Sequence, residues 1–160
     1  MKKKIQLVLS ILILLTGCTK VIPELGVENG QLAQCSTKPN CVSSQTKDKK
    51  HYIEPLLLTG TPSEVKNNIL KILTDFQVSK IVVAESNYIR AEFTSKVFHF
   101  VDDVEFYFPD TKSEEITIHV RSASRVGYSD FGVNRKRIEQ LRRKLRVINP
   151  DVKSRSDLTE

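Results

Sequence analysis

Lys96–Pro109 reads KVFHFVDDVEFYFP, and its parity decides the fold. Phe98, Phe100, Val104, Phe106 and Phe108 share one parity, while polar residues occupy much of the other. Successive side chains of an extended strand point to opposite faces, so such a run fits a sheet with one buried and one polar face. Neighbouring runs carry the same signal. In NYIRAEFTS, Ile89, Ala91 and Phe93 alternate with Tyr88, Arg90 and Glu92; in EEITIHVRS, Ile116, Ile118 and Val120 share a parity; VSKIVVAE is also β-rich.

Parity constrains the pairing. A two-residue turn at Ser95-Lys96 would set Phe93 opposite Phe98 and Ala91 opposite Phe100. In the next hairpin the apolar faces match only when paired positions sum to an even number, as for Phe108 with Ile116 or Phe106 with Ile118. A slip by one would turn every side chain to the wrong face. That register sets Asp103 opposite Arg121 and Glu105 opposite His119 on the polar side. Asp102 is the anomaly, because it falls in the apolar series between Phe100 and Val104. A buried, unpaired carboxylate is costly, so Asp102 needs a cationic or hydrogen-bonding partner, or a β-bulge that turns it outward.

Helices flank this sheet. In TGTPSEVKNNILKILTDF, Thr61 is placed as N-cap, Pro62 as first helical residue and Glu64 as the closing member of a capping box. Val65, Ile69, Ile72, Leu73 and Phe76 then form one apolar stripe. A last helix from about Asn134 to Ile148 carries Ile138, Leu141, Leu145 and Ile148 on one side and Arg142, Arg143, Lys144 and Arg146 elsewhere. The expectation is a two-layer α+β domain: a mainly antiparallel sheet of four to five strands with two helices on one face. HYIEPLLL adds an edge strand, since Pro55 is poorly suited to a central one.

The connection into the last helix is the most distinctive polar segment, RSASRVGYSDFGVNRKR. It offers Arg121, Ser122, Ser124, Arg125, Tyr128, Asp130, Asn134 and Arg135 as candidate ligand or ion-pair residues, with Asp102 and Asp103 as the nearest carboxylates in the sheet. Arg135, Lys136 and Arg137 occupy the first helical turn, where the amide dipoles already present about half a positive charge. Three explanations stand: the cations are solvated, they are paired internally with Asp102, Asp103 and Asp130, or they receive an anionic ligand.

Three segments, KPNCVSS, FVDDVEF and RSASRVGYSDFGVNRKRIEQLR, in this order, resemble the bacterial and plastid family known as domain-of-unknown-function family 1499. The resemblance runs from about Cys35 to Leu145. It implies a compact domain, exported or membrane-associated in many members, and implies no substrate, cofactor or reaction.

The N-terminus supplies an address. MKKKIQLVLSILILLTGC has three lysines, an apolar run from Ile5 to Leu15 that is too short to span a bilayer, and small residues before Cys18. Residues 1–17 are therefore expected to be a signal peptide. Leu15-Thr16-Gly17-Cys18 resembles a lipobox, which implies cleavage before Cys18 and a lipid on its sulfur, a membrane anchor outside the cytoplasm. Thr19 after that cysteine favours the periplasmic side of the outer membrane in a diderm host. Loss of residues 1–17 takes three lysines and no acid from 25 basic and 19 acidic residues, which leaves a net charge of +3. Nothing in that balance calls for nucleic acid.

Outside the cytoplasm, Cys35 and Cys41 favour a disulfide over free thiols or a metal site. Residues 18–50 are expected to be a tether and cysteine-pinned loop, 51–150 one domain and 151–160 a polar tail. No motif calls for a cofactor or a metal; His99, Glu105 and His119 on one strand face are a weak metal candidate. The functional expectation is an envelope lipoprotein that is a non-catalytic binding or structural module, with an envelope protein or an anionic ligand as possible partner. The alternative is an enzyme using Asp102 or Asp103 with Arg121, Arg125 and Tyr128.

Overall fold

The computed structural model describes residues 24–76, 79–110 and 115–149. The expected signal peptide, Cys18 and the tail 151–160 lie outside the described residues. The chain enters through a short hairpin, β1 (Val27–Glu28) and β2 (Gln31–Leu32), and continues into β3 (Cys41–Ser43), β4 (Leu56–Thr59) and helix α1 (Pro62–Asp75). Four longer strands follow: β5 (Ser79–Ala84), β6 (Tyr88–Thr94), β7 (Val101–Tyr107) and β8 (Glu115–Ser124). Helix α2 (Val133–Ile148) comes last. The fold is α+β, with two helices, a six-stranded antiparallel sheet and the two-stranded hairpin.

Sheet order is β3-β8-β7-β6-β5, and β4 joins the outer edge of β8 beyond β3. β3 runs beside Arg121–Ala123 and β4 beside Glu115–Ile118. Ser44 bridges the interval: its N–H donates to the Val120 carbonyl and its hydroxyl accepts from the Val120 N–H, both at 2.9 Å. Pro55 immediately precedes β4, at an edge as its missing N–H requires. Part of the segment expected to be a tether and loop is thus woven into the sheet, and the Cys35–Cys41 disulfide closes the turn that feeds β3.

Both registers keep the expected parity and slide along it. β6 and β7 pair as Ala91 with Val104 and Phe93 with Asp102, not as Ala91 with Phe100. β7 and β8 pair as Phe106 with Val120 and Glu105 with Arg121, not as Phe106 with Ile118 or Asp103 with Arg121. Burial of one face fixes parity, whereas turn geometry fixes the slide. The first turn is longer than two residues: Ser95 N–H donates to the Phe100 carbonyl, Phe100 N–H to the Ser95 hydroxyl, and His99 has a positive φ of 53°. Phe98 and Phe100, assigned by parity to the core, are exposed at that tip.

The core lies between the helices and one sheet face. Val65, Ile69, Ile72 and Leu73 of α1 and Ile138, Leu141 and Leu145 of α2 pack against Ile89, Ala91, Val104, Phe106, Ile118 and Val120. α1 starts as expected: Glu64 N–H donates to the Thr61 hydroxyl, while the Glu64 carboxylate accepts from the Thr61 N–H at 2.9 Å. Thr61→Ala is expected to cost about 1 kcal/mol, read as a lower urea midpoint at unchanged slope.

On α2 the buried stripe differs from the expected one. Ile148 is exposed, and Arg142 is buried four residues after Ile138. Its guanidinium donates to the carbonyls of Glu54 and Pro55 at 2.7 and 2.8 Å, satisfying the chain just before β4. Arg142 lies at the helical spacing of a core residue, and its length lets it reach the two carbonyls just ahead of β4.

Candidate functional site

The second face of the sheet was expected to be the polar one. It is polar and buried. Side by side across β6, β7 and β8 lie Tyr88, Arg90, Glu92, Asp103, Glu105 and Arg121, and Arg125 joins them just past the end of β8. Asp103 is 1% exposed and Glu105 0%. At the Tyr107 end, Gly30, left-handed at φ 75°, brings the β1–β2 turn close to the Tyr107 hydroxyl. Gln45 pins that hairpin, accepting from Leu32 N–H and donating to the Gly30 carbonyl.

Three guanidiniums meet three carboxylates on this face. Arg125 makes a fork to Asp103 through Nε and Nη2 at 2.7 and 2.8 Å, and its Nη2 also donates to Glu92. Arg121 donates to Glu105 Oε2 at 2.7 Å, and the Tyr88 hydroxyl donates to Glu105 Oε1 at 2.8 Å. Arg90 lies 3.5 Å from Asp103 and 3.7 Å from Glu92. Each oxygen of Asp103 and Glu105 accepts a hydrogen bond, and the formal charges cancel. Bidentate, charge-assisted bonds of this kind are among the strongest available to side chains.

The field shifts the titrations accordingly. The Arg125 bond holds Glu92 below the ordinary carboxylate range, and the Asp103 bond raises Arg125. Burial first, and Glu105 next, push the Tyr88 phenol well up. Burial pushes His119 down from its ordinary 6.5; its ring stacks on Tyr107 and lies 3.3 Å from the Ser44 hydroxyl. A depressed folded pKa gives stability that is present above the unfolded value and lost as pH falls. Below about 6.5 the unfolded chain takes up a proton that folded His119 refuses, and below about 4.5 Glu92 adds to the loss. The urea midpoint is therefore expected to be lower at pH 5.5 than at pH 7.5, with the gap narrowed in His119→Gln.

A second polar cluster lies on the helix side. Asp102, buried as its parity required, pairs with Arg137 Nη2 at 2.6 Å, with an uninterrupted ladder in place of a bulge. Arg137 also stands 4.7 Å over the Phe93 ring. Its Nη1 donates to Asn134 Oδ1 at 2.6 Å and to the Ser122 hydroxyl at 3.1 Å. Asn134, fully buried, also donates to the Asn40 carbonyl and the Ser124 hydroxyl, tying β3, β8 and α2 together.

Asp130 resolves the charge at the start of α2. Its carboxylate accepts from the N–H groups of Gly132 and Asn134 at 2.9 and 2.8 Å, supplying the anion that the helix dipole favours. Arg137 is neutralised by Asp102, and Arg135 donates to the Lys50 carbonyl at 3.0 Å.

The expected residues thus fall into separate groups. Asp103, Arg121 and Arg125 belong to the second face; Asp102, Ser122, Ser124 and Asn134 to the helix side. Tyr128 is exposed along a cleft of about 260 Å³ shared with Asp130, Arg135, Lys50 and His51, whose lining omits Asp102, Asp103, Arg121 and Arg125. Arg125 serves Asp103, and the partner of Asp102 is Arg137. Glu105 belongs to the second-face cluster, and His99 sits in the hairpin tip, so the three metal candidates do not form a ligand set. Arg90, Glu92 and Tyr88 stand on the expected polar face; their alternation with Ile89, Ala91 and Phe93 carries the positions but not the burial.

The class these observations define is a small α+β domain with an apolar core on one sheet face and a closed, charge-neutral network on the other. A family model described as "Protein of unknown function (DUF1499)" matches residues 31–145, and the chain belongs to that family. No curated protein matches the chain. The matched span takes in β3, the whole network and most of α2.

Proposed function

We propose that this chain is a lipid-anchored module of the cell envelope that acts without catalysis, its Arg/Asp/Glu network serving to hold the fold. The observation that carries the non-catalytic reading is the saturation of Asp103 and Glu105: both are buried and every oxygen is engaged. A general acid or base must reach the proton it moves. The enzyme alternative needed Tyr128 beside Asp102 or Asp103, and Tyr128 borders a different cleft.

Anchoring is supported by the lipobox-like Leu15–Cys18 and by the short stretch between Cys18 and Glu24. No helix among the described residues is long and apolar enough to cross a membrane. Metabolic labelling with radioactive palmitate tests the anchor. Label is expected in the parent and not in Cys18→Ser, which should leave the membrane fraction; labelled Cys18→Ser would refute it.

A further inference from the structure

The exposed apolar side chains are concentrated at one end of the domain. Val97, Phe98 and Phe100 stand on the β6–β7 tip, and Val126, Tyr128 and Phe131 on the β8–α2 loop; Phe98 is 72% exposed and Phe131 89%. The two loops leave adjacent strand ends, where Arg125 N–H donates to the Val101 carbonyl at 3.1 Å. The tip is built rather than loose: Ser95 closes it with three hydrogen bonds, and Phe98 and Phe100 stack at 5.5 Å. Between the β6–β7 tip and the start of α2 lies a mainly apolar groove of about 340 Å³ lined by Phe76, Phe93, Val133, Lys96 and Lys136, among others.

The charge at this end is cationic. Its carboxylates are spent, Asp102 on Arg137 and Asp130 on backbone N–H groups. Lys96 and Lys136 have no carboxylate partner among the described residues.

The start of the described chain is tied to this end through the disulfide loop, where Asn40 donates to the Gly127 carbonyl at 3.1 Å. β1 and β2 pair as Val27 with Leu32, and continuing that register sets Leu25 beside Gln34; both line one cleft. Gln34 adjoins Cys35, whose disulfide partner Cys41 pairs with Ala123 near the end of β8. Six Cα steps separate Cys18 from Glu24, a reach of about 20 Å at most.

We infer that this end docks on the surface of an anionic bilayer, with Phe98, Phe100 and Phe131 entering the acyl boundary, Tyr128 at headgroup level and Lys96 and Lys136 facing lipid phosphates. The inference deepens the anchored-module reading and rests on it for the nearness of the membrane. Apolar groups on two convex tips suit a deformable bilayer, where a protein partner would need matching hollows. Aromatic rings and lysines are the side chains that settle at the membrane interface, and a tether this short keeps the local lipid concentration high.

The chain contains no Trp, so Phe98→Trp is a silent-background reporter. The protein, purified from membranes, is reconstituted into phosphatidylglycerol–phosphatidylcholine vesicles with or without brominated acyl chains. At least twofold quenching by the brominated lipid is expected for Phe98→Trp. Little is expected for Val147→Trp, exposed at the far end of α2. Adding Lys96→Gln and Lys136→Gln should reduce the quenching, and so should wholly neutral vesicles. Protein that floats with the vesicles while Phe98→Trp stays unquenched overturns docking and leaves anchoring intact. Protein that fails to float while its circular dichroism is native overturns anchoring instead. An unquenched reporter that is shielded from iodide only in native membranes reassigns this end to a protein partner and overturns the lipid assignment.

Discussion

Glu105→Ala is expected to destabilise the domain by about 3–5 kcal/mol, the usual cost of breaking a buried ion pair from one side. Thermal circular dichroism should register a fall in Tm of roughly 10–20 °C. Glu105 is 0% exposed and accepts from both Arg121 and Tyr88. Truncation leaves a guanidinium with its charge uncompensated, and Arg121 Nε already has no hydrogen-bond partner among the described residues. It also takes away the acceptor of the buried Tyr88 hydroxyl. Two separate penalties, an unpaired buried charge and an unsatisfied donor, therefore add to the lost volume. Glu105→Gln keeps an acceptor for Tyr88 and should fall between the parent and Glu105→Ala.

Arg125→Ala should be the second large effect, at about 3 kcal/mol. It removes three charge-assisted bonds and leaves Asp103 and Glu92 to Arg90, with Lys80 also near Glu92. Asp103 is buried and bears most of the loss. Glu92 is partly exposed and can recover water, which holds the effect to the lower part of the range. The same variant should lose Glu92's low pKa, because the Arg125 bond is its largest cause. Chemical shifts of the Glu92 carboxyl carbon against pH would show its titration moving up.

Much of the fold was legible because alternation and capping are local. Thr61, Pro62 and Glu64 announce α1 without help from the rest of the chain, and strand parity separated Ile89, Ala91, Val104, Phe106, Ile118 and Val120, which meet the helices, from the opposite face. The slide of each hairpin was not legible, since Phe98 and Phe100 continue the apolar parity of β7 into a tip that bends away from the sheet. Burial of the second face was hidden for a different reason. A row of Arg and Glu in a strand looks solvated, and only the pairing of β6, β7 and β8, with Arg125 just past the end of β8, brings three cations to three carboxylates. Asp102 was legible as an anomaly, but its partner sits on a helix 35 residues away, beyond any register argument. At the start of α2, Asp102 answers Arg137 and Asp130 answers the helix dipole, while Lys136 keeps no carboxylate partner among the described residues.

A double-mutant cycle on Glu105 and Arg121 most directly tests whether the charges of the second face are occupied by one another. Glu105→Met, Arg121→Met and the double variant are compared by urea denaturation. A mutually satisfied pair predicts losses of several kcal/mol for each single change and a double variant within about 1–3 kcal/mol of the parent, since an apolar pair of similar volume leaves no charge stranded and only the Tyr88 hydroxyl loses its acceptor. A double variant that loses the sum of the two single effects would contradict the pairing and return both residues to the search for a ligand.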